Sequence, residues 1–280
     1  MTPPVVTATA ISLAPTDLMI AALLLIINGA VSVYLKLGVE RSMAIAAVRM
    51  VVQLLVIGLV LRFLFAQANP WMTLGVVMIM IGFAGYEIMG RQDRKLSGFW
   101  SYGIGVSTMT FAAVTVTVLA LSTQIKPDPW YDPRYAVPLL GMILGNALTG
   151  ISLGLNTLLN TLVRERWAAE AQIALGETRD VALKPFIRRS LKTALMPIIN
   201  SMAATGVVSL PGMMTGQILA GADPVEAVKY QLLVMFLIGG ATGIGSVAAV
   251  YGVVWRLTDA RHRLRLDRIA GSERPGSEAT

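Results

Sequence analysis

The stretch YAVPLLGMILGNALTGISLGLNTLLNTLV, Tyr135 to Val163, runs for 29 positions without one charged side chain. As an α-helix it would reach about 43 Å at 1.5 Å per residue. A bilayer's hydrocarbon core is about 30 Å thick and needs about 20 apolar residues of helix. The stretch is therefore long enough to cross a membrane. Six others meet or nearly meet that length: Leu18–Leu35, Met43–Leu61, Pro70–Gly90, Ser101–Leu121, Ala194–Ala220 and Val228–Trp255. The whole chain agrees, being 55% hydrophobic and 14% charged over 280 residues, whereas a soluble domain is nearer a quarter charged. A β-barrel would show short alternating segments instead. The reading is an all-α polytopic membrane protein with about seven transmembrane helices.

Charge placement sets the expected orientation. Of 23 Lys and Arg residues, eighteen lie in one alternate set of connections, from Lys36 to Arg41, Arg91 to Lys95, Arg164 to Lys192, and the C-terminal tail. The other set holds four, namely Arg62, Lys126, Arg134 and Lys229, and Arg49 lies within a span. This is the positive-inside pattern, with the N-terminus outside and the C-terminus cytoplasmic. The pI near 9.9 thus marks topology and contact with a lipid bilayer rather than nucleic acid. The chain divides into an extracytoplasmic segment 1–17, a transmembrane domain 18–255 with a cytoplasmic loop 164–192, and a basic cytoplasmic tail 256–280. The opening residues lack a basic n-region, which argues against a cleaved signal peptide. The tail is expected to start as a basic helix and end disordered.

Several function classes are excluded. With no cysteine there is no disulfide, thiolate metal site or Cys nucleophile. His262, the only histidine, reads as a solvated tail residue. The outside loop QIKPDPWYDPRY, 124–135, reads as turns with interfacial Trp130, Tyr131 and Tyr135. No internal repeat supports an inverted-repeat carrier. Glycines recur at small-xxx-small spacing (Gly141, Gly145, Gly150 and Gly154; Gly212 and Gly216; Gly239 and Gly243), which lets helix backbones approach closely. Packing within one bundle and a homodimer contact are both open.

The longest polar stretch carries EAQIALGETRD, 170–180. Ala168 to Leu175 favours helix, Gly176 stops it, and Glu177, Thr178 and Asp180 suit the first turn of a second helix. Pro185 should break or kink that second helix. The result is helix, glycine elbow, helix, protruding into the cytoplasm.

Glu170 to Gly176, EAQIALG, resembles the EAA-x-x-x-G loop of ABC transporter permeases, with Gln172 in place of the second alanine and only a loose match downstream at Ile187 and Met196-Pro197. SLPGMMTGQILAGADPVEAVKYQ (Ser209–Gln231), RMVVQLLVIGLVL (Arg49–Leu61) and IALGETRDVA (Ile173–Ala182) resemble the FetB-type family of iron-export ABC permeases, related to plant permeases linked to aluminium tolerance. The likeness spans roughly residues 15 to 265. It implies a permease subunit of the cytoplasmic (inner) membrane, acting as a homodimer with a separate ABC ATPase. Glu170, Ala171, Gly176, Glu177 and Thr178 would couple to that ATPase. No GxxxxGK[ST] loop occurs in the chain. ATP would therefore act through the partner; this chain would bind no cofactor of its own and would not itself be an enzyme.

Two ionisable residues lie within spans, Arg49 and Glu87. An unpaired charge there costs several kcal/mol, so a pair is expected, with Gln53, one turn from Arg49, completing it. A structural clamp and a cation site are both open. In the sixth span, Pro211 removes a backbone donor to Val207 and Gly212 adds freedom, so a hinge and a discontinuous helix are expected there. Met213, Met214 and Gln217 follow the break. Together with Asn200 and Glu87 they form the candidate substrate path; plain core packing is the other reading of the methionines. Thioether sulfur suits copper(I) better than iron, so residue chemistry leaves the metal unset. The rival is an ion-driven secondary transporter with Arg49 and Glu87 as relay groups.

Overall fold

The computed structural model describes residues 14–67, 69–259 and 263–270. His262, most of the segment before Pro15, and the final ten residues lie outside these. The described chain is helical: α1 (Pro15–Tyr34), α2 (Glu40–Gln67), α3 (Pro70–Gly90), α4 (Trp100–Ala120), α5 (Pro133–Arg164), α6 (Arg166–Ala174), α7 (Arg179–Ala204), α8 (Gly212–Leu219) and α9 (Pro224–Leu257). The only β pairings among the described residues are isolated bridges. Starts are set by local chemistry. Pro70, Pro133 and Pro224 occupy first-turn positions, where their missing N–H costs nothing, and Asn69, Asp132 and Asp223 cap them with side-chain oxygens.

Among the described residues six helices are long and apolar enough to cross a membrane: α1, α2, α3, α4 with its π-helical extension to Ile125, α5 and α9. The expected span Ala194–Ala220 is not one helix. α7 ends at Ala204, and residues 205–211 turn around Gly206, whose φ of +91° suits glycine. The Ser209 carbonyl accepts from Gly206 N–H at 2.9 Å, closing the turn. Pro211 follows at φ −62°, ψ 140° as the N-cap of α8. The break therefore lies before Pro211-Gly212, not at it. The physical reason is that Gly206, β-branched Val207 and Val208, and the restriction a proline places on its predecessor disfavour helix together. Pro185 lies inside α7 without ending it. α7, with six charged residues from Arg179 to Lys192, is not among the six, against the seven expected. It runs antiparallel to α9, from Arg179 beside Thr258 to Met202 beside Gly239, an extent along α9 of about 28 Å.

α5 is the central element, packed by α3, α4, α7 and α9. Leu155, Leu158, Leu159 and Leu162 are fully buried on it. Its closest approaches are at glycines. A Cβ on Gly150 would lie 2.6 Å from Thr242 Cγ2 and 2.9 Å from the Ala194 carbonyl oxygen; one on Gly154 would lie 3.0 Å from Ala194 Cβ. These two glycines serve packing within one bundle. Around Gly145, Gly212, Gly216 and Gly243 the space is open. α1 and α2 form a peripheral hairpin whose apolar side chains are almost all exposed.

The tail differs from the expected basic helix. Among the described residues after α9, Leu264 pairs antiparallel with Thr258 and Leu266–Arg268 makes a single 3-10 turn. Ile269 is buried and bridges Leu96 of the α3–α4 connection. Ser97 N–H donates to the Arg268 carbonyl at 2.7 Å, and Ala270 N–H donates to the Lys95 carbonyl at 2.7 Å. Leu264, Leu266 and Ile269 pack on the core. Their spacing, with arginines between, fits an extended strap better than a helix.

A side chain at position 150 must displace backbone on α7. Gly150→Ala is expected to cost about 1–3 kcal/mol, read as a lower unfolding midpoint in detergent, whereas Gly145→Ala should be within error of the unaltered chain.

Candidate functional site

One end of the bundle gathers nearly all the polar structure. The α3–α4 connection, the α5–α6–α7 segment and the tail strap meet there, and the Arg49–Glu87 pair brings the start of α2 beside the end of α3. These are the segments that carry the basic excess. Opposite, α8 packs near the start of α9.

The α6–α7 hairpin projects from this end. α6 stops at Ala174, Gly176 sits at φ +95°, and Thr178 takes the N-cap position of α7. A β-carbon at Gly176 would be strained there, although space around it is open. Ala169 alone of α6 is buried. Glu170 is half-buried, while Ala171, Gly176, Glu177 and Thr178 are exposed. Leu175 at the tip is 85% exposed and Trp167 near the root 68%, so the hairpin presents apolar surface away from the core. Glu165 roots the hairpin: Arg189 Nη1 donates to its Oε1 at 2.8 Å and Arg164 Nη2 at 3.1 Å. These donors, Arg164 first, hold the Glu165 carboxyl below its usual range.

A second latch fixes the α3–α4 connection to α5. Asn156 Nδ2 and Asn160 Nδ2 donate to Asp93 Oδ2 at 3.0 and 3.1 Å, and Asp93 N–H donates back to Asn156 Oδ1 at 3.0 Å. The two amides, Asn156 first, lower the Asp93 carboxyl. Sequence reading missed this group. Asn156 and Asn160 stand one turn apart on α5 and were legible as a polar pair, but nothing local named Asp93, sixty-three residues away from Asn156, as their partner.

The structure brings Arg49 and Glu87 together as an ion pair. Arg91 Nε adds a second cation 3.9 Å from Glu87 Oε2, and the Arg49 guanidinium lies over the Phe83 ring at 5.0 Å. Gln53 does not complete the pair. It lies beside Arg49 in a shallow groove on α2 but makes no hydrogen bond to either partner among the described residues; Arg91, one turn beyond Glu87 on the same helix, takes the place expected for it. Glu87, with two cations, has no carboxylate oxygen left clear of an arginine.

The candidate path residues do not form one site. Glu87 lies at the polar end, whereas Met213, Met214 and Gln217 sit on α8 at the opposite end. Met213 packs on the core. Gln217 Oε1 is buried without a partner. Asn200 is exposed on α7. Glu87 was joined to the others in sequence because all are polar or soft groups in apolar runs, a criterion blind to depth. Among the described residues no three His, Asp or Glu side chains gather as metal ligands.

Fold and site together define a polytopic α-helical membrane protein. A model described as Uncharacterised protein family (UPF0014) matches residues 15–257, and the chain belongs to that family. It is 32% identical to the Probable iron export permease protein FetB of Escherichia coli, over 90% of this chain and 95% of that one. It is 36% identical to a UPF0014 membrane protein of Synechocystis over 77% of this chain and 82% of the relative. The protein ALUMINUM SENSITIVE 3 of Arabidopsis thaliana is 32% identical over 82% and 83%. No solved structure matches the chain.

Two predictions follow from these contacts. Asp93 and Glu165 both have lowered folded-state values, so their stabilisation is complete above their unfolded values, about 4, and is lost as pH falls through the folded ones. The unfolding midpoint should show no pH dependence from them between about pH 5 and 8 and should decrease at lower pH; Asp93→Asn should flatten the acid limb. For the intramembrane pair, Glu87→Gln should lower the yield of folded protein by leaving Arg49 unmatched, and Arg49→Met with Glu87→Met should restore most of it. Yields by size-exclusion chromatography check this.

Proposed function

We propose that this chain is the membrane-spanning subunit of an ABC transporter of the cytoplasmic (inner) membrane, exporting iron or a related metal with energy from a separate ATPase. The observation that carries the reading is the α6–α7 hairpin. It is a short helix anchored by one buried alanine and one doubly bonded glutamate, with an exposed leucine at its tip and an exposed tryptophan near its root. A protruding apolar knob held by a charged root suits insertion into a cleft of another protein. Glu170, Ala171, Gly176, Glu177 and Thr178 are its contact residues in this proposal. The hairpin's end of the bundle faces the cytoplasm, on the positive-inside rule, which puts the N-terminus outside.

Iron enters from the name of the Escherichia coli relative. The described residues offer thioethers, amides and carbonyls in place of a carboxylate cage, a donor set for brief contact with a passing cation. Asn200 faces outward from α7, so a closed polar path needs a second wall. A second copy of the chain would supply it, which favours a homodimer. α7 continues without interruption from the elbow to Ala204; motion imposed on α6 would travel along it to the break at 205–211. The ion-driven alternative needs Arg49 or Glu87 to trade protons. Glu87 between Arg49 and Arg91 suits a clamp instead.

Reconstitution with the candidate ATPase, measuring iron, copper and manganese flux with and without ATP, tests the proposal. Gly176→Val or Leu175→Asp should reduce ATPase co-purification by about tenfold or more, as loss of a central contact worth about 2 kcal/mol would, with the membrane domain still folded. ATP-independent flux that survives both changes would replace this reading with the ion-driven one.

A further inference from the structure

At the same end as α6, the last turn of α9, the first turn of α4, the start of α7 and the tail strap enclose a cavity of about 480 Å³. Three arginines line it, Arg179, Arg256 and Arg268, against one carboxylate, Asp259. Asp259 is already engaged: Arg263 N–H and Nε donate to its two oxygens at 2.9 and 3.0 Å. Arg256 lies over the Trp100 ring at 4.5 Å, and its Nε is buried with no acceptor among the described residues. Arg268 Nη1 donates to the Arg256 backbone carbonyl at 2.6 Å, and both arginines line the same cavity. The lining carries a net positive charge.

The rim differs in character. Trp100 and Trp255 stand with ring centroids 6.4 Å apart, and Trp255 is 64% exposed. Indoles at helix ends, where apolar surface gives way to charged loops, mark the depth of lipid headgroups. Below Trp255, one face of α9 presents Tyr251, Val247 and Ile244, all exposed, at intervals of one helical turn. An apolar track thus leads from the bilayer depth directly to a cationic cavity.

We propose that this cavity binds the phosphodiester of an anionic phospholipid, with the acyl chains along the Ile244–Trp255 face of α9. The bound group is a phosphate oxyanion, which arginine forks satisfy with short charge-assisted hydrogen bonds. The apolar track selects a lipid over free phosphate. Arg179 also donates to Thr258 Oγ1 at 3.3 Å, so a lipid held here would tie the start of α7, next to the elbow, to the end of α9 and the strap. The site does not depend on what the protein transports.

The test uses the full chain in uncharged detergent and reads binding, so its failure is distinct from failure of the transporter reading. Unfolding midpoints and native mass spectra are recorded with dioleoyl phosphatidylglycerol, dioleoyl phosphatidylcholine or inorganic phosphate. Phosphatidylglycerol should raise the midpoint and remain bound; the other two should not. Arg256→Gln with Arg268→Gln should weaken phosphatidylglycerol binding about tenfold or more, as loss of charge-assisted bonds does. Arg265→Gln, whose guanidinium pairs with Asp267 at 2.8 Å, should leave binding within about twofold, the scale of a surface charge. Equal effects of the two lipids on the unaltered chain overturn the proposal even if the double variant fails to fold. So does stabilisation by inorganic phosphate matching that by phosphatidylglycerol, or equal loss in the Arg265 variant.

Discussion

Inside a bilayer, apolar side chains gain nothing by leaving lipid for one another, so helices associate only where their surfaces fit closely enough to gain dispersion contacts. In this protein that condition is met where α5 crosses α7 and α9. Gly150 and Gly154 remove the β-carbons that would hold the backbones apart, and Ala194, Ser190, Thr242 and Ser246 present small groups to the gap. Backbone and side-chain atoms meet at van der Waals distance there. With α5 as the axis, the leucine ladder from Leu155 to Leu162 has a fixed set of neighbours, and α3 and α4 pack on its other sides. The α1–α2 hairpin, with no comparable set of close contacts, remains at the edge.

That crossing also decides where the polar chemistry collects. Because α5 and α7 are locked along their length, the short connection between them must emerge at one end, and Glu165 with Arg189 secures its root. The end of α9 arrives beside the start of α7, and the tail folds over the α3–α4 connection. Asp93 between two asparagines, the paired backbone bonds of the strap and the Glu165 clamp make this end a braced platform. The opposite end is more loosely made: α7 stops, seven residues turn, and a two-turn helix follows before α9. One continuous helix, α7, joins the braced end to the broken one.

Much of the architecture was legible in the chain. Uncharged runs at bilayer length identify the membrane class, because each backbone group in lipid must be satisfied within its own helix. The helix, the glycine elbow and the start of the second helix after Thr178 were readable from propensity and from the freedom of Gly176, whereas the passage of that helix through Pro185 to Ala204 was not. The meeting of Arg49 with Glu87 was foreseeable from depth alone, since two lone charges at similar depth in consecutive antiparallel helices have few other partners. Gln53 was assigned by helical spacing on its own helix, a rule that cannot see Arg91 reaching Glu87 from one turn away. The tail was read by its charge and missed its alternation of leucine and arginine, which only acquires meaning once Leu96 and the α3–α4 backbone are in reach.

What the sequence by itself determined was therefore the class of fold, the number and length of the apolar elements apart from the interrupted sixth, and the place of the exposed hairpin. These depend on local quantities: hydropathy per turn, a glycine's access to left-handed φ, a proline's missing donor. What only the tertiary structure decided was which distant groups touch, as with Asp93 on Asn156 and Asn160, Ile269 on Leu96, and the arginines around Trp100. It also decided that the candidate path residues lie at opposite ends. The reason is that sequence records position along one chain, while a binding site is a coincidence of depth and azimuth among several helices. Those are set by the close crossing at Gly150 and Gly154, not by any segment alone.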